Sequence, residues 1–169
     1  MTMPLLPVLQ YPDERLRKEA QPVDTVTDEI RTLVDNMIET MYEDRGVGLA
    51  ATQVNVHKLI FVVDVSPAHN EPMVFINPKI VAFEGTVDSE EGCLSVPGIF
   101  NKVKRHKWVH VTAQDRDGKP FEVKTDTFLA LVMQHEMDHL HGILFVDRLS
   151  PLKKQMALKK LEKLRKQAY

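Results

Sequence analysis

Cysteine is almost absent from this chain: among 169 residues, Cys93 is the only one. A lone cysteine closes no internal disulfide, so a disulfide-stapled scaffold is excluded. Long apolar runs are missing too. Stretches such as residues 59–63 fall far short of the ~20 apolar residues needed to cross a bilayer. Aromatics make up 7% with a single tryptophan, and there are only seven glycines, which excludes collagen-like and low-complexity classes. Residues 1–9 carry neither a basic start nor an extended apolar region, so no secretory signal is expected. Together with the unpaired thiol, this points to a reducing cytoplasm.

What remains is ordinary globular material, 43% apolar and 27% charged. That is enough for a core without disulfides, and one domain over residues 1–169 is expected. The formal charge of −2 hides an asymmetry. Residues 151–169 hold seven Lys or Arg against Glu162, a net +6, which leaves −8 on the rest. Such a tail is either a solvated helix face or a contact for an anionic partner.

Ile30, Leu33, Val34, Met37, Ile38, Met41 and Tyr42 recur at helical spacing and form one apolar stripe. Thr27 is the expected N-cap, Asp28 and Glu29 favour the first turn, and Gly46 ends the element. Residues 58–65 and 73–83 read as strands, with a bend or edge at Pro78. Residues 103–114 alternate loosely, and Asp115-Arg116-Asp117-Gly118 is a turn before a short strand through Phe121 and Val123. A second helix is predicted from an Asp126 N-cap to about Leu140, stopped by Gly142. A third starts at Ser150-Pro151, with a stripe of Ala157, Leu161, Leu164 and Ala168. This order predicts an α+β fold: antiparallel or mixed sheets around a central helix, with an N-terminal helix and a basic, amphipathic C-terminal helix over 150–169.

The central helix carries His135-Glu136-Met137-Asp138-His139, an HExxH pattern. His135 and His139 stand one turn apart on one face, where two imidazoles can hold one transition metal. Glu136 then reaches a water on that metal and can take its proton. The bland reading, two surface histidines, fits poorly with flanking Phe128, Leu129, Leu131, Val132 and Leu140. A catalytic site needs a third ligand and an open position. Phe145 stands where the extended metzincin pattern would need a histidine, so that class fails. Glu162 is available only within the basic tail. Cys93 is the stronger candidate, although a lone cysteine is more often a small buried hydrophobe. Gly92 beside it permits close approach of a ligand. Residues 46–53 combine small residues with an amide, but lack the lysine of a phosphate loop. A general metallopeptidase and a non-catalytic module with a structural metal stay open on these residues.

GVGLAATQ at 46–53, EGCLSVP at 91–97 and QHEMDHL at 134–140 resemble, in order and spacing, the three signature motifs of the bacterial peptide deformylases. The resemblance extends over nearly the whole chain, including Pro12 to Arg17 and Asp115 to Pro120. It implies an enzyme that removes the formyl group from N-terminal formylmethionine of new proteins. By this resemblance Cys93, His135 and His139 bind the metal, with water as the fourth ligand. Glu136 is general base and then general acid, while the Gln53 amide and the Leu94 backbone N–H stabilise the oxyanion. The backbone at Val47 and Gly48 pairs with the substrate, and Gly92 and Leu94 also contact it. Phe128, Leu131, Val132 and His135 line an apolar methionine pocket, and ordinary helix packing is compatible with that role. Formyl is the smallest acyl group, so a tight site excludes larger ones by clash.

The donor set suits Zn2+, whereas the resemblance implies Fe2+ in the cell, with Ni2+ or Co2+ as substitutes. Implied partners are formylmethionyl peptides and nascent chains, with the ribosome contacted through the basic helix; no membrane or DNA partner is expected, and the protein is expected to be a monomer. Two places depart from the family pattern: Arg45 stands where an acid is common, and Gly98-Ile99-Phe100 replaces a more polar stretch. Arg105 matches a recurrent family arginine and is expected to pair with Glu91.

Overall fold

The structure is a computed structural model, and it describes residues 5–167. Among the described residues three α-helices, α1 (Asp28–Glu43), α2 (Phe128–Leu140) and α3 (Pro151–Gln167), combine with seven strands. The strands are β1 (Gly48–Ala50), β2 (Ile60–Val63), β3 (Met73–Glu84), β4 (Val87–Cys93), β5 (Val96–Arg105), β6 (Trp108–Gln114) and β7 (Pro120–Thr125). They form an antiparallel five-stranded sheet in the order β1-β2-β3-β6-β7 and a separate β4-β5 hairpin. This is the α+β class expected from the order of elements. Among the described residues no helix is long and apolar enough to cross a membrane.

α1 starts as its sequence dictates: the Thr27 hydroxyl accepts from the Ile30 N–H. Its stripe of Val34, Met37 and Met41 packs with Ile60 and Val62 of β2. Phe61 and Val63, on the opposite side of β2, join Met133, Met137 and Leu140 of α2. With both faces covered, β2 reads as a continuous apolar run. The bend expected at Pro78 is a register shift between Ile76 and Lys79, with Asn77 at a φ of +53°.

Two boundaries differ from expectation. Residues 103–114 are not one element: the chain leaves β5 at Arg105 and enters β6 of the other sheet at Trp108. Gln134 ties down this corner, accepting from the His106 N–H and donating to the His106 carbonyl, both at 2.9 Å. The N-cap of α2 is Thr127, not Asp126. The Thr127 carbonyl accepts from Ala130, while its hydroxyl is engaged with Thr125 at 2.7 Å. Gly142, at a φ of +74°, ends the turn after α2 as expected. α3 buries Ala157 and Leu161 against the β4-β5 hairpin and half-buries Leu164; Ala168 lies outside the described residues.

Candidate metal centre

The site lies where α2 faces both the hairpin and the free edge of β1. Alternation along β4 turns Ser89 and Glu91 inward, and Cys93 continues that face at the strand's end. Leu94-Ser95 makes the hairpin turn, because Cys93 pairs directly with Val96. One helical turn separates His135 from His139 on the facing side. The three potential ligand atoms all lie within 4.8 Å of one another. Cys93 Sγ is 3.3 Å from His139 Nε2, which is 3.2 Å from His135 Nε2. For a tetrahedral ion with bonds of about 2.0–2.1 Å to nitrogen and 2.3 Å to sulfur, these edges would be about 3.3–3.6 Å. The residues therefore fit a single metal ion.

Neighbouring groups set the ligands. Glu91 Oε1 accepts from His135 Nδ1 at 2.8 Å, which leaves Nε2 for a metal. The Ser95 N–H and the Gln53 amide both point at the Cys93 sulfur, at 3.4 and 3.6 Å. Thr52 donates its hydroxyl to the His139 carbonyl at 3.0 Å, fixing the end of the ligand turn. Burial and the neighbouring His135 push His139 well below its ordinary pKa. At His135 burial acts downward too, but hydrogen bonds with Cys93 and Glu91 outweigh it and the value rises.

Glu136 is buried, and its Oε1 has no hydrogen-bond partner among the described residues. Burial is the main force pushing its pKa up to about 7. A buried, unpartnered carboxylate beside three ligand atoms is suited to exchanging a proton with a molecule in the cleft. Gln53 is fixed from both ends: its carbonyl accepts from the Ala50 N–H at 2.9 Å, and its amide donates to Ser95 Oγ at 3.0 Å.

A cleft of about 440 Å³ opens here, lined by Val47, Gly48, Gly92, Leu94, Leu131, Val132, His135 and Glu136. Phe128 also lines it but is 53% exposed, which puts it at the rim rather than on the floor. Glu162 is far from this constellation in character: it is exposed and pairs with Lys166 in α3.

Behind the ligands runs an ion network that the motifs alone did not reveal. Arg105 donates bidentately to Glu91, at 2.8 Å each, and to Asp138 at 2.6 Å. Arg148 donates to Asp138 at 2.7 and 2.8 Å. The expected Arg105–Glu91 pair is thus part of a larger set. Asp138 could have been suspected from sequence, since a carboxylate inside an apolar helix needs a cation.

The comparisons agree with this geometry. The family model described as Polypeptide deformylase matches residues 5–155. A relative named Peptide deformylase 2, from Xanthomonas campestris pv. campestris, is 56% identical over 167 residues, covering 97% of this chain and 98% of the relative. The crystal structure of a peptide deformylase from Legionella pneumophila superposes with a TM-score of 0.93 at 48% identity, covering 98% of both chains. That of the Ehrlichia chaffeensis peptide deformylase in complex with actinonin gives 0.90 at 40% identity, covering 95% of this chain and 98% of that one. Likeness of this extent, in sequence and in backbone, makes the chain a member of the peptide deformylase family.

Proposed function

We propose that this chain hydrolyses the formyl amide of N-formylmethionyl peptides, using Cys93, His135 and His139 to hold one divalent metal ion and Glu136 to move the proton. The observation that carries this reading is the unpartnered Glu136 Oε1, buried beside three ligand atoms that fit one ion. When bound, the metal supplies Lewis acidity, lowering the pKa of a water and polarising the formyl oxygen. Glu136 accepts the proton of the attacking water and returns it to the departing amine. The C–N bond breaks, one water is consumed, and formate and a free amino terminus are released. We assign the Gln53 amide, which donates to Ser95 Oγ in this structure, and the Leu94 N–H to the charge that develops on the formyl oxygen.

β1 is an edge strand, and among the described residues only its β2 side is paired within the sheet. The backbone around Val47 and Gly48 can therefore add an extended peptide as a further strand. Leu131 and Val132 offer the methionine side chain an apolar wall. A thiolate and two imidazoles suit zinc by ligand preference; for the cell we assign ferrous iron, with nickel or cobalt as substitutes. We also place the protein in the cytoplasm, as a monomer that works on nascent chains. Lys153, Lys159, Lys160 and Lys163 of α3 are exposed, which suits a salt-sensitive contact with ribosomal RNA.

Formate release from formyl-Met-Ala, and peptide-bond cleavage in an unformylated peptide, are to be measured before and after chelation. Chelator-sensitive formate release without cleavage is the expected result. Cleavage without formate would indicate a general peptidase, and neither activity would indicate a structural metal site.

A further inference from the structure

The three ligand side chains are not held alike. The Cys93 sulfur faces the Ser95 N–H and the Gln53 amide, and the His135 ring is fixed by Glu91. The His139 ring has no such anchor: its Nδ1 is buried and, among the described residues, lacks a hydrogen-bond partner. His139 is also the next-to-last residue of α2. The last four carbonyls of a helix find no donor within it, and helix ends fray. A ligand placed there depends most on a hold from outside the helix.

That hold comes through the backbone. The His139 carbonyl accepts from the Gly142 N–H at 3.1 Å, just beyond the helix, and from the Thr52 hydroxyl at 3.0 Å, across the fold. Thr52 is fully buried and belongs to a short 3-10 turn, Ala51–Val54. The turn is itself tied down. Its Gln53 main-chain carbonyl accepts from the Leu9 N–H at 2.7 Å, and its Ala51 carbonyl accepts from the Val56 N–H at 3.0 Å. Two successive residues of this turn then reach in different directions. Thr52 bonds to α2 at His139, while the Gln53 side chain bonds to Ser95 at the hairpin turn and faces the Cys93 sulfur. One rigid turn therefore braces the two elements whose ligand atoms, Cys93 Sγ and His139 Nε2, stand 3.3 Å apart.

We propose that Thr52 is a positioning residue of the metal centre: its hydroxyl pins the end of α2, so that His139 is preset at the distance from Cys93 that one ion needs. This rests on the ligand assignment above. Thr52 lies behind the residues that line the cleft, so it acts through His139 and not on the substrate. A ligand already in place loses less freedom when an ion binds, and the ion is held more tightly for it. Without the hydroxyl, the His139 carbonyl keeps only the Gly142 N–H, which belongs to the same chain end and cannot brace it against the hairpin.

The full chain is loaded with Co2+ and titrated with a competing chelator, and the absorption of the bound ion is recorded. Thr52→Val keeps the shape of the side chain and removes the donor. It should hold Co2+ about three- to tenfold less tightly than wild type, the size of one hydrogen bond. Its d–d bands, which report ligand geometry, should shift. Thr52→Ser keeps the donor and should match wild type in both measurements. Thr52→Ala also lacks the donor and is read in the same way, which covers a valine variant that does not fold. Wild-type affinity or wild-type bands in the variants without the donor, or a loss shared by Thr52→Ser, overturns the proposal. A wild type that binds no Co2+, or binds it without the charge-transfer band of a thiolate, overturns the ligand assignment itself, and this proposal with it.

Discussion

The Glu136 carboxylate occupies the space that a side chain at Gly48 would need: a Cβ there would lie 2.5 Å from Oε2 and 3.0 Å from Cδ. Gly48 opens β1, the strand that offers its edge to the cleft. The glycine thus leaves room for the carboxylate proposed to move the proton, and the close approach of β1 to α2 depends on it.

Replacing Gly48 by Ala should therefore push the carboxylate aside without touching the ligands. Misplacement by about 1 Å can cost up to about 100-fold in rate, so kcat should fall about 10- to 100-fold. Metal content, measured by elemental analysis, should stay at the wild-type level. Unchanged kcat would show that Glu136 has room to relax.

Glu136→Gln and Cys93→Ala separate proton transfer from metal binding. The amide keeps the shape of the carboxylate but cannot take a proton, so turnover should fall on the order of 10²–10⁴-fold with the metal retained. Cys93→Ala removes one of three ligands and should lower metal affinity. Full occupancy in that variant would rule out sulfur as the third donor.

The fold and the ligand pair were legible because their signals are local. The α1 stripe, the strand at 60–63 and the HExxH spacing each repeat within a few residues. β4 was not legible as a strand. Its inward residues Ser89 and Glu91 are polar because they face the cleft and the ion network, so the hydrophobic alternation that marks a half-buried strand is missing. Cys93 became a ligand candidate only through its neighbours and the family resemblance. The network behind it joins Glu91, Arg105, Asp138 and Arg148 from four elements or turns, and no local pattern encodes such contacts. The Asp126 cap failed for a smaller reason: Thr125 and Thr127 bond to each other, and the helix begins one residue later.

Arg105 is the shared cation of that network and is 5% exposed. Arg105→Met would leave Glu91 and Asp138 buried with less compensation. Breaking a buried pair in this way costs about 3–5 kcal/mol. Urea unfolding of the metal-loaded protein should show a loss of that size. His135, whose Nδ1 is held by Glu91, should also bind metal less tightly. A loss below about 1 kcal/mol would mean that Arg148 and water replace the missing charge.

Acid stability should depend on Asp147, which joins the N-terminal segment to α3. Its carboxylate takes ion pairs from Arg17 and Lys154 and accepts the Leu144 N–H at 2.9 Å. Burial works to raise its pKa, but these three partners outweigh it and hold the value at about 2, down from 3.8. A folded-state value below the unfolded one stabilises the protein fully above the unfolded value, and the gain is lost as pH falls through the folded one. Asp147→Asn keeps the shape and removes the charge. At pH 7 the variant should be less stable by about 2 kcal/mol at most, since Arg17 and Lys154 are each 37% exposed and water screens them. Urea midpoints at pH 7, 4 and 3 should show this gap narrowing, to roughly half its neutral value at pH 3. A gap that stays constant over that range would mean the carboxylate acts through hydrogen-bond geometry alone, with no contribution from its charge.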